Sequence, residues 1–85
     1  MKRTDFTYGQ LDKALRSLGF TSRLVPGDPP ARVYTHKETG CRITVPPFPD
    51  ADHVLEFQLV TARVMLDQFG IADPMAFAAK LQKAG

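Results

Sequence analysis

The sequence has 85 residues, enough for one domain and too few for two, so residues 1–85 are expected to form a single domain. Hydrophobic residues make up 44% and charged residues 24%, a balance that excludes a disordered chain. The net charge of +2 is far below that of a strongly basic nucleic-acid-binding domain.

The two halves of the chain differ in charge. Residues 1–45 carry eight Lys or Arg against four Asp or Glu, whereas residues 46–85 carry three against five. Such an asymmetry points weakly to a polyanionic partner on the basic side. No apolar run approaches the roughly 20 residues that span a bilayer, so we expect no membrane contact. The N-terminus lacks the pattern of a signal peptide and Cys41 is a lone cysteine, which together favour the cytoplasm.

A first helix is predicted after Thr7. Thr7 and Gln10 have the spacing of a capping box, and Phe6 and Leu11 have that of a hydrophobic staple. Gly19 is where a left-handed residue would end the helix. Four residues at three- and four-residue spacing form its apolar stripe: Tyr8, Leu11, Leu15 and Leu18.

Residues 20–45 predict three short strands that form an antiparallel sheet. The strands cover 20–25, 31–36 and 41–45, and residues 37–40 supply a hairpin turn with Gly40 at its end. The third strand alternates, with Cys41, Ile43 and Val45 inward and Arg42 and Thr44 outward. In the second strand Arg32, Tyr34 and His36 share one face and Ala31, Val33 and Thr35 the other, and sequence alone leaves open which face meets water.

Two further helices complete the predicted order. The second is expected to start from Asp50 or Asp52 as its cap and to end at Phe69, before Gly70. The third starts at Asp73-Pro74 and is anchored by Phe77 and Leu81. The second helix has a core stripe of Leu55, Leu59, Ala62, Leu66 and Phe69, and a separate stripe of Phe57, Val60 and Val64.

The order of helix, three strands and helix is that of double-stranded-RNA-binding domains. Three stretches, residues 13–20, 34–46 and 61–71, resemble HicA-type proteins, the small toxins of a bacterial toxin–antitoxin system. The resemblance covers roughly residues 6–82. The fold class expected from it is α+β, a double-stranded-RNA-binding-domain-like α-β-β-β-α arrangement with a three-stranded antiparallel sheet and a short additional C-terminal helix.

The resemblance implies a metal-independent endoribonuclease that cleaves mRNA through a histidine at the start of the second strand. Counting back from Tyr34, that catalytic position falls on Ala31, or on Pro30 if the loop shifts. Alanine cannot transfer a proton, so the family's acid–base chemistry has no agent there. His36 is the only histidine near the strands and is a weak candidate for a displaced general base. The sequence therefore favours a domain without catalysis.

Two surfaces are candidates for binding. Arg23, Arg32, Tyr34, Lys37 and Arg42 are predicted to bind RNA, through phosphate contacts and stacking on Tyr34. Phe57, Val60 and Val64 are predicted to form an interface, unless the third helix folds back over them.

Function thus stays open between three alternatives. The leading one is a HicA-like domain that binds RNA or an antitoxin-like protein without catalysis. The others are an active mRNA interferase using His36 or another group, and an interaction or homodimerisation module working through the second helix. No cofactor is expected. No metal site is expected either, because His53 with Asp50 and Asp52 lacks a second histidine or cysteine at ligand spacing.

Overall fold

The computed structural model describes residues 2–84. Eight elements follow one another along the chain, in an α+β arrangement with three helices and two antiparallel sheets. They are β1 (Arg3–Thr7), α1 (Tyr8–Ser17), β2 (Phe20–Val25), β3 (Ala31–His36), β4 (Arg42–Val45), β5 (His53–Leu55), α2 (Glu56–Gln68) and α3 (Pro74–Lys83).

The start of α1 confirms the predicted capping box. The Thr7 hydroxyl accepts from the amide of Gln10 at 3.2 Å, and the Gln10 side chain accepts from the amide of Thr7 at 2.9 Å. The amide of Tyr8 donates to the carbonyl of Asp52 at 2.9 Å, and that of Gly9 donates to the carbonyl of Asp50 at 3.0 Å. The first three amides of the helix, which have no intrahelical partner, are thereby satisfied.

The main sheet is three-stranded and antiparallel, as the sequence predicts, and its strand order is β2-β3-β4. Gly40 adopts a φ of +77° in the turn before β4, a conformation that glycine reaches without strain. The predicted alternation is confirmed, since Cys41, Ile43 and Val45 are buried whereas Arg42 and Thr44 are exposed. The strand itself begins at Arg42, one residue later than predicted.

A second, two-stranded sheet was not predicted. β1 pairs with β5 in antiparallel fashion, with Arg3 opposite Leu55 and Thr7 opposite His53. The prediction that Asp50 or Asp52 caps the second helix is therefore wrong. Both residues lie in the loop whose carbonyls bind the start of α1, and α2 begins only after Leu55, without a side-chain cap.

The helices pack on the inner face of the main sheet around a shared core. The Tyr8 hydroxyl donates to the side-chain oxygen of the buried Gln58, which ties α2 to α1. Of the predicted core stripe of α2, Leu59, Ala62 and Leu66 are buried. Leu55 instead belongs to β5, and Phe69 lies just past the last turn of α2 and is exposed, so these two assignments are wrong.

The third helix is present and packs against α1. Asp73 caps it, accepting from the amide of Ala76 at 2.7 Å, and Phe77 and Leu81 are buried in the core as predicted. The Gln10 side chain donates to the carbonyl of Leu81 at 3.2 Å and joins α1 to α3. Among residues 2–84, no helix has the length and apolarity needed to cross a bilayer.

Candidate functional surfaces

The inner face of β3 carries Arg32, Tyr34 and His36. Tyr34 is 2% exposed and His36 is 9% exposed, and both belong to the side of the sheet that the helices cover. Tyr34 was predicted to stack on a base or sugar of RNA, but its ring is enclosed by the core and offers no free face. The prediction of stacking is therefore not compatible with the structure. It could not have been avoided from the sequence, because the alternation along β3 does not show which face the helices cover.

Tyr34 instead forms the centre of a polar cluster between β3 and α1. Its hydroxyl donates to Oδ1 of Asp12 at 2.7 Å, and Oδ2 of the same carboxylate accepts from Nε of Arg16 at 3.0 Å. Burial, followed by the hydrogen bond to Asp12, raises the pKa of Tyr34 to about 12. The Tyr34 hydroxyl also raises the pKa of Arg32, and Asp12 and Asp50 add to this effect while burial opposes it.

This cluster changes the interpretation of Arg32. Its guanidinium lies near carboxylates of the protein itself, on the face opposite that of Arg23 and Arg42. The sequence prediction did not include Asp12 or Arg16. Their spacing of four residues on a helix indicates an ion pair, but nothing in the sequence shows that the pair faces Tyr34.

His36 has the environment of a structural residue. Its Nδ1 lies 2.9 Å from the Thr39 hydroxyl, and its ring packs against Phe20 with 5.1 Å between centroids. His36 lies five residues after Ala31, on the other face of β3. At about 3.3 Å per residue the two positions are roughly 16 Å apart, so His36 cannot occupy the place of the family histidine.

The position that the resemblance assigns to catalysis lies in an apolar groove. Ala31 lines a space of about 510 Å³. The other lining residues are Pro29, Pro30, Thr44, Val45, Pro46, Pro47 and Phe48. None of these side chains titrates, and Thr44 contributes the only hydroxyl group. Acid–base cleavage requires a group that can hold a proton within hydrogen-bond reach of the substrate, and the lining of this groove supplies none.

The outer face of the main sheet carries the remaining residues of the predicted RNA-binding set. Arg23 and Arg42 are exposed there, on adjacent rows, and are separated by Val33 and Thr35. Lys37 is exposed in the turn after β3. The structure thus divides the predicted set into an outer group of Arg23, Lys37 and Arg42 and an inner pair of Arg32 and Tyr34.

An apolar strip runs along the solvent side of α2. Phe57, Val60 and Val64 are 54%, 45% and 46% exposed, so α3 does not cover them. At 100° per residue they lie on the side of the helix opposite the buried Leu59, Ala62 and Leu66. We call these three exposed residues the α2 strip. Phe57 separates two grooves, one bordered by Lys2 and Val60 and the other by β4 and Met65.

Metal-binding residue types do not converge within the part of the chain that the structure describes. No group of three or more His, Cys, Asp or Glu residues there could hold a metal ion. His53 is exposed, and its Nδ1 lies 2.9 Å from the carbonyl of Thr4. Cys41 is buried as a free thiol, and burial raises its pKa.

Comparison of the chain with family models, with curated proteins and with solved structures finds no match.

Proposed function

We propose that this chain is a HicA-like binding domain that does not cleave RNA and that assembles with a second copy of itself through the α2 strip. The observation that carries this proposal is the exposure of Phe57, Val60 and Val64 on the side of α2 opposite the core. Contiguous exposed apolar side chains are typical of protein interfaces. The HicA-like part of the proposal is supported by the resemblance to HicA-type proteins of residues 13–20, 34–46 and 61–71.

The residues of the strip favour a second copy as the partner. A two-fold interface needs a patch that is complementary to itself. In an antiparallel pair of α2 helices centred near Val60, Phe57 of each copy lies opposite Val64 of the other. Glu56 and Arg63 are seven residues apart on one flank of the strip, with their midpoint at almost the same place. The same pairing therefore brings Glu56 of each copy next to Arg63 of the other, as an attractive contact.

The absence of catalysis is supported by the groove around Ala31. Its lining contains no titratable side chain that could act as a general acid or base, and His36 is both enclosed and remote from it. A buried histidine already engaged with Thr39 lacks the access that a general base needs. The domain consequently acts by binding.

Sedimentation of the wild type and two matched variants tests the self-association. Val60→Glu places a charge in the middle of the strip, and a folded monomer is expected, because burying an unpaired carboxylate at the interface is costly. Leu24→Glu makes the same change at an exposed leucine on β2, outside the strip, and is expected to sediment like the wild type. A monomeric wild type would rule out the second copy as partner, and leave an antitoxin-like protein as the alternative occupant.

Charge exchange gives a sharper test of the antiparallel geometry. Arg63→Glu alone is expected to weaken the dimer, since it brings like charges together on the flank of the strip. Adding Glu56→Arg in the same chain is expected to restore the dimer. If the double variant stays as weak as the single one, the antiparallel arrangement is wrong even if a dimer exists.

RNA binding through Arg23, Lys37 and Arg42 stays a prediction of the sequence. These residues are exposed on or beside the outer face of the main sheet, whereas Arg32 and Tyr34 are turned towards Asp12.

A further inference from the structure

A cleft between α1 and α3 brings together three lysines that are far apart in sequence. Lys13 lies on α1, and Lys80 and Lys83 lie on α3, one helical turn apart. They border a space of about 310 Å³ whose other lining residues are Ser17 and Ala84. We call this space the lysine cleft.

The lysine cleft follows from how α3 docks. Phe77 and Leu81 are buried in the core, and the Gln10 side chain holds the carbonyl of Leu81 at 3.2 Å. These contacts hold the last two turns of α3 beside α1, so that Lys80 and Lys83 border the same space as Lys13. Because Lys13 belongs to the basic half of the chain and the other two lysines belong to the acidic half, the charge count by halves cannot reveal the cleft.

Among the residues that the structure describes, no carboxylate side chain lines the lysine cleft to balance its charge. Within residues 2–84 the ion pairs are Lys2–Glu56 and Arg16–Asp12, so the three lysines form none there. Lysines in a last helical turn also stabilise the helix dipole, which accounts for Lys80 and Lys83. Lys13 lies in the middle of α1 and has no such role, yet it borders the same cleft.

We propose that the lysine cleft binds the phosphate groups of a nucleic acid backbone. Three ammonium groups around one concave surface repel each other, and a phosphodiester chain relieves that repulsion while releasing its own counterions. The lining has no large apolar or aromatic side chain, so it offers neither a stacking platform for bases nor a group that would insert into a lipid surface. Binding is therefore expected to depend on salt and to discriminate little between sequences.

Two variants with equal changes of charge test the site. One carries Lys13→Gln, Lys80→Gln and Lys83→Gln, and the other carries Arg23→Gln, Lys37→Gln and Arg42→Gln on and beside the outer face of the sheet. Affinity for a short labelled RNA of mixed sequence is measured between about 50 and 200 mM salt. The cleft variant is expected to bind at least about tenfold more weakly, and its salt slope to fall by roughly two, while the sheet variant stays close to the wild type.

Every other pattern overturns the proposal. Equal losses in both variants would indicate a general charge effect, and a loss confined to the sheet variant would assign binding to the outer face. A wild type that binds neither RNA nor DNA of the same sequence, or that binds only phosphatidylserine vesicles, would also refute it. If the triple variant has a lower melting temperature, the pair Lys13→Gln and Lys83→Gln carries the test, because both side chains are exposed.

Discussion

The hydroxyl of Tyr34 donates a hydrogen bond of 2.7 Å to Oδ1 of Asp12, so that β3 and α1 are joined by a direct polar contact. Tyr34 is 2% exposed, and Asp12 is held in turn by Arg16 at 3.0 Å. A buried hydroxyl that has a charged acceptor is stabilising, whereas the same acceptor without its donor is not. The stability of the fold is therefore expected to depend on this pair.

Removing the hydroxyl is expected to destabilise the protein. Tyr34→Phe should lower the free energy of unfolding by about 1–2 kcal/mol, since Asp12 loses one donor but keeps Arg16. Urea denaturation of the wild type, Tyr34→Phe, Asp12→Ala and the double variant measures the coupling between the two residues. Losses that simply add would show that the contact contributes nothing of its own.

The raised pKa of Tyr34 predicts a dependence of stability on alkaline pH. The unfolded state releases this proton near pH 10, whereas the folded state holds it until about pH 12. The contribution is therefore complete below pH 10 and is lost as the pH rises towards 12. Melting temperatures across this range are expected to fall more steeply for the wild type than for Tyr34→Phe. Parallel curves would mean that Tyr34 titrates normally.

The two helix caps provide a comparison within one chain. Thr7→Ala and Asp73→Ala each remove one side-chain acceptor from a helix start, and each is expected to cost about 1 kcal/mol. Gln10→Ala should cost more, because Gln10 contributes to the capping box and also binds the carbonyl of Leu81. Denaturant midpoints of the three variants measure these losses of stability. A Gln10→Ala variant that is as stable as Thr7→Ala would contradict the double role of Gln10.

Incubation with a mixed mRNA pool tests the absence of cleavage. We expect no specific cleavage by the wild type, because none of the side chains that line the groove at Ala31 is titratable. His36→Ala is expected to lower stability, through loss of the contacts with Phe20 and Thr39, without altering the RNA. Cleavage by the wild type that His36→Ala abolishes would restore His36 as the base.

Chelation tests whether folding depends on a metal. The side chains of His36 and Cys41 are enclosed in the core, and that of His53 lies against a backbone carbonyl of β1. We therefore expect the same melting temperature with and without EDTA. A sharp fall on adding the chelator would show that a metal stabilises the fold.

Sequence patterns of short range predicted much of this fold. The capping box at Thr7 involves residues three apart, and the alternation from Cys41 to Val45 needs no knowledge of distant residues. The same holds for the turn at Gly40 and for the start of α3 at Asp73. Each of these signals depends on chemistry within a few residues, and each is confirmed.

Structural features that depend on residues far apart in sequence could not be predicted from such short patterns. β1 and β5 are short strands whose pairing joins residues about 50 positions apart, so Asp50 and Asp52 were assigned to helix capping. Tyr34 could face either side of its strand until the helices were placed. The α2 strip, in contrast, could be predicted from the sequence, because its offset around the helix from Leu59, Ala62 and Leu66 already indicated a second apolar face.

The pairing of residues 50–55 with the beginning of the chain has a consequence for how the protein is made. During synthesis, β1 and the first turn of α1 emerge more than 40 residues before the carbonyls of Asp50 and Asp52 that complete them. An isolated ten-residue helix is marginal in water, so the nascent chain is expected to remain largely unstructured until β5 follows. Folding then waits for the closure of a long loop, and the emerging segment is exposed to proteases and chaperones until β5 has been synthesised.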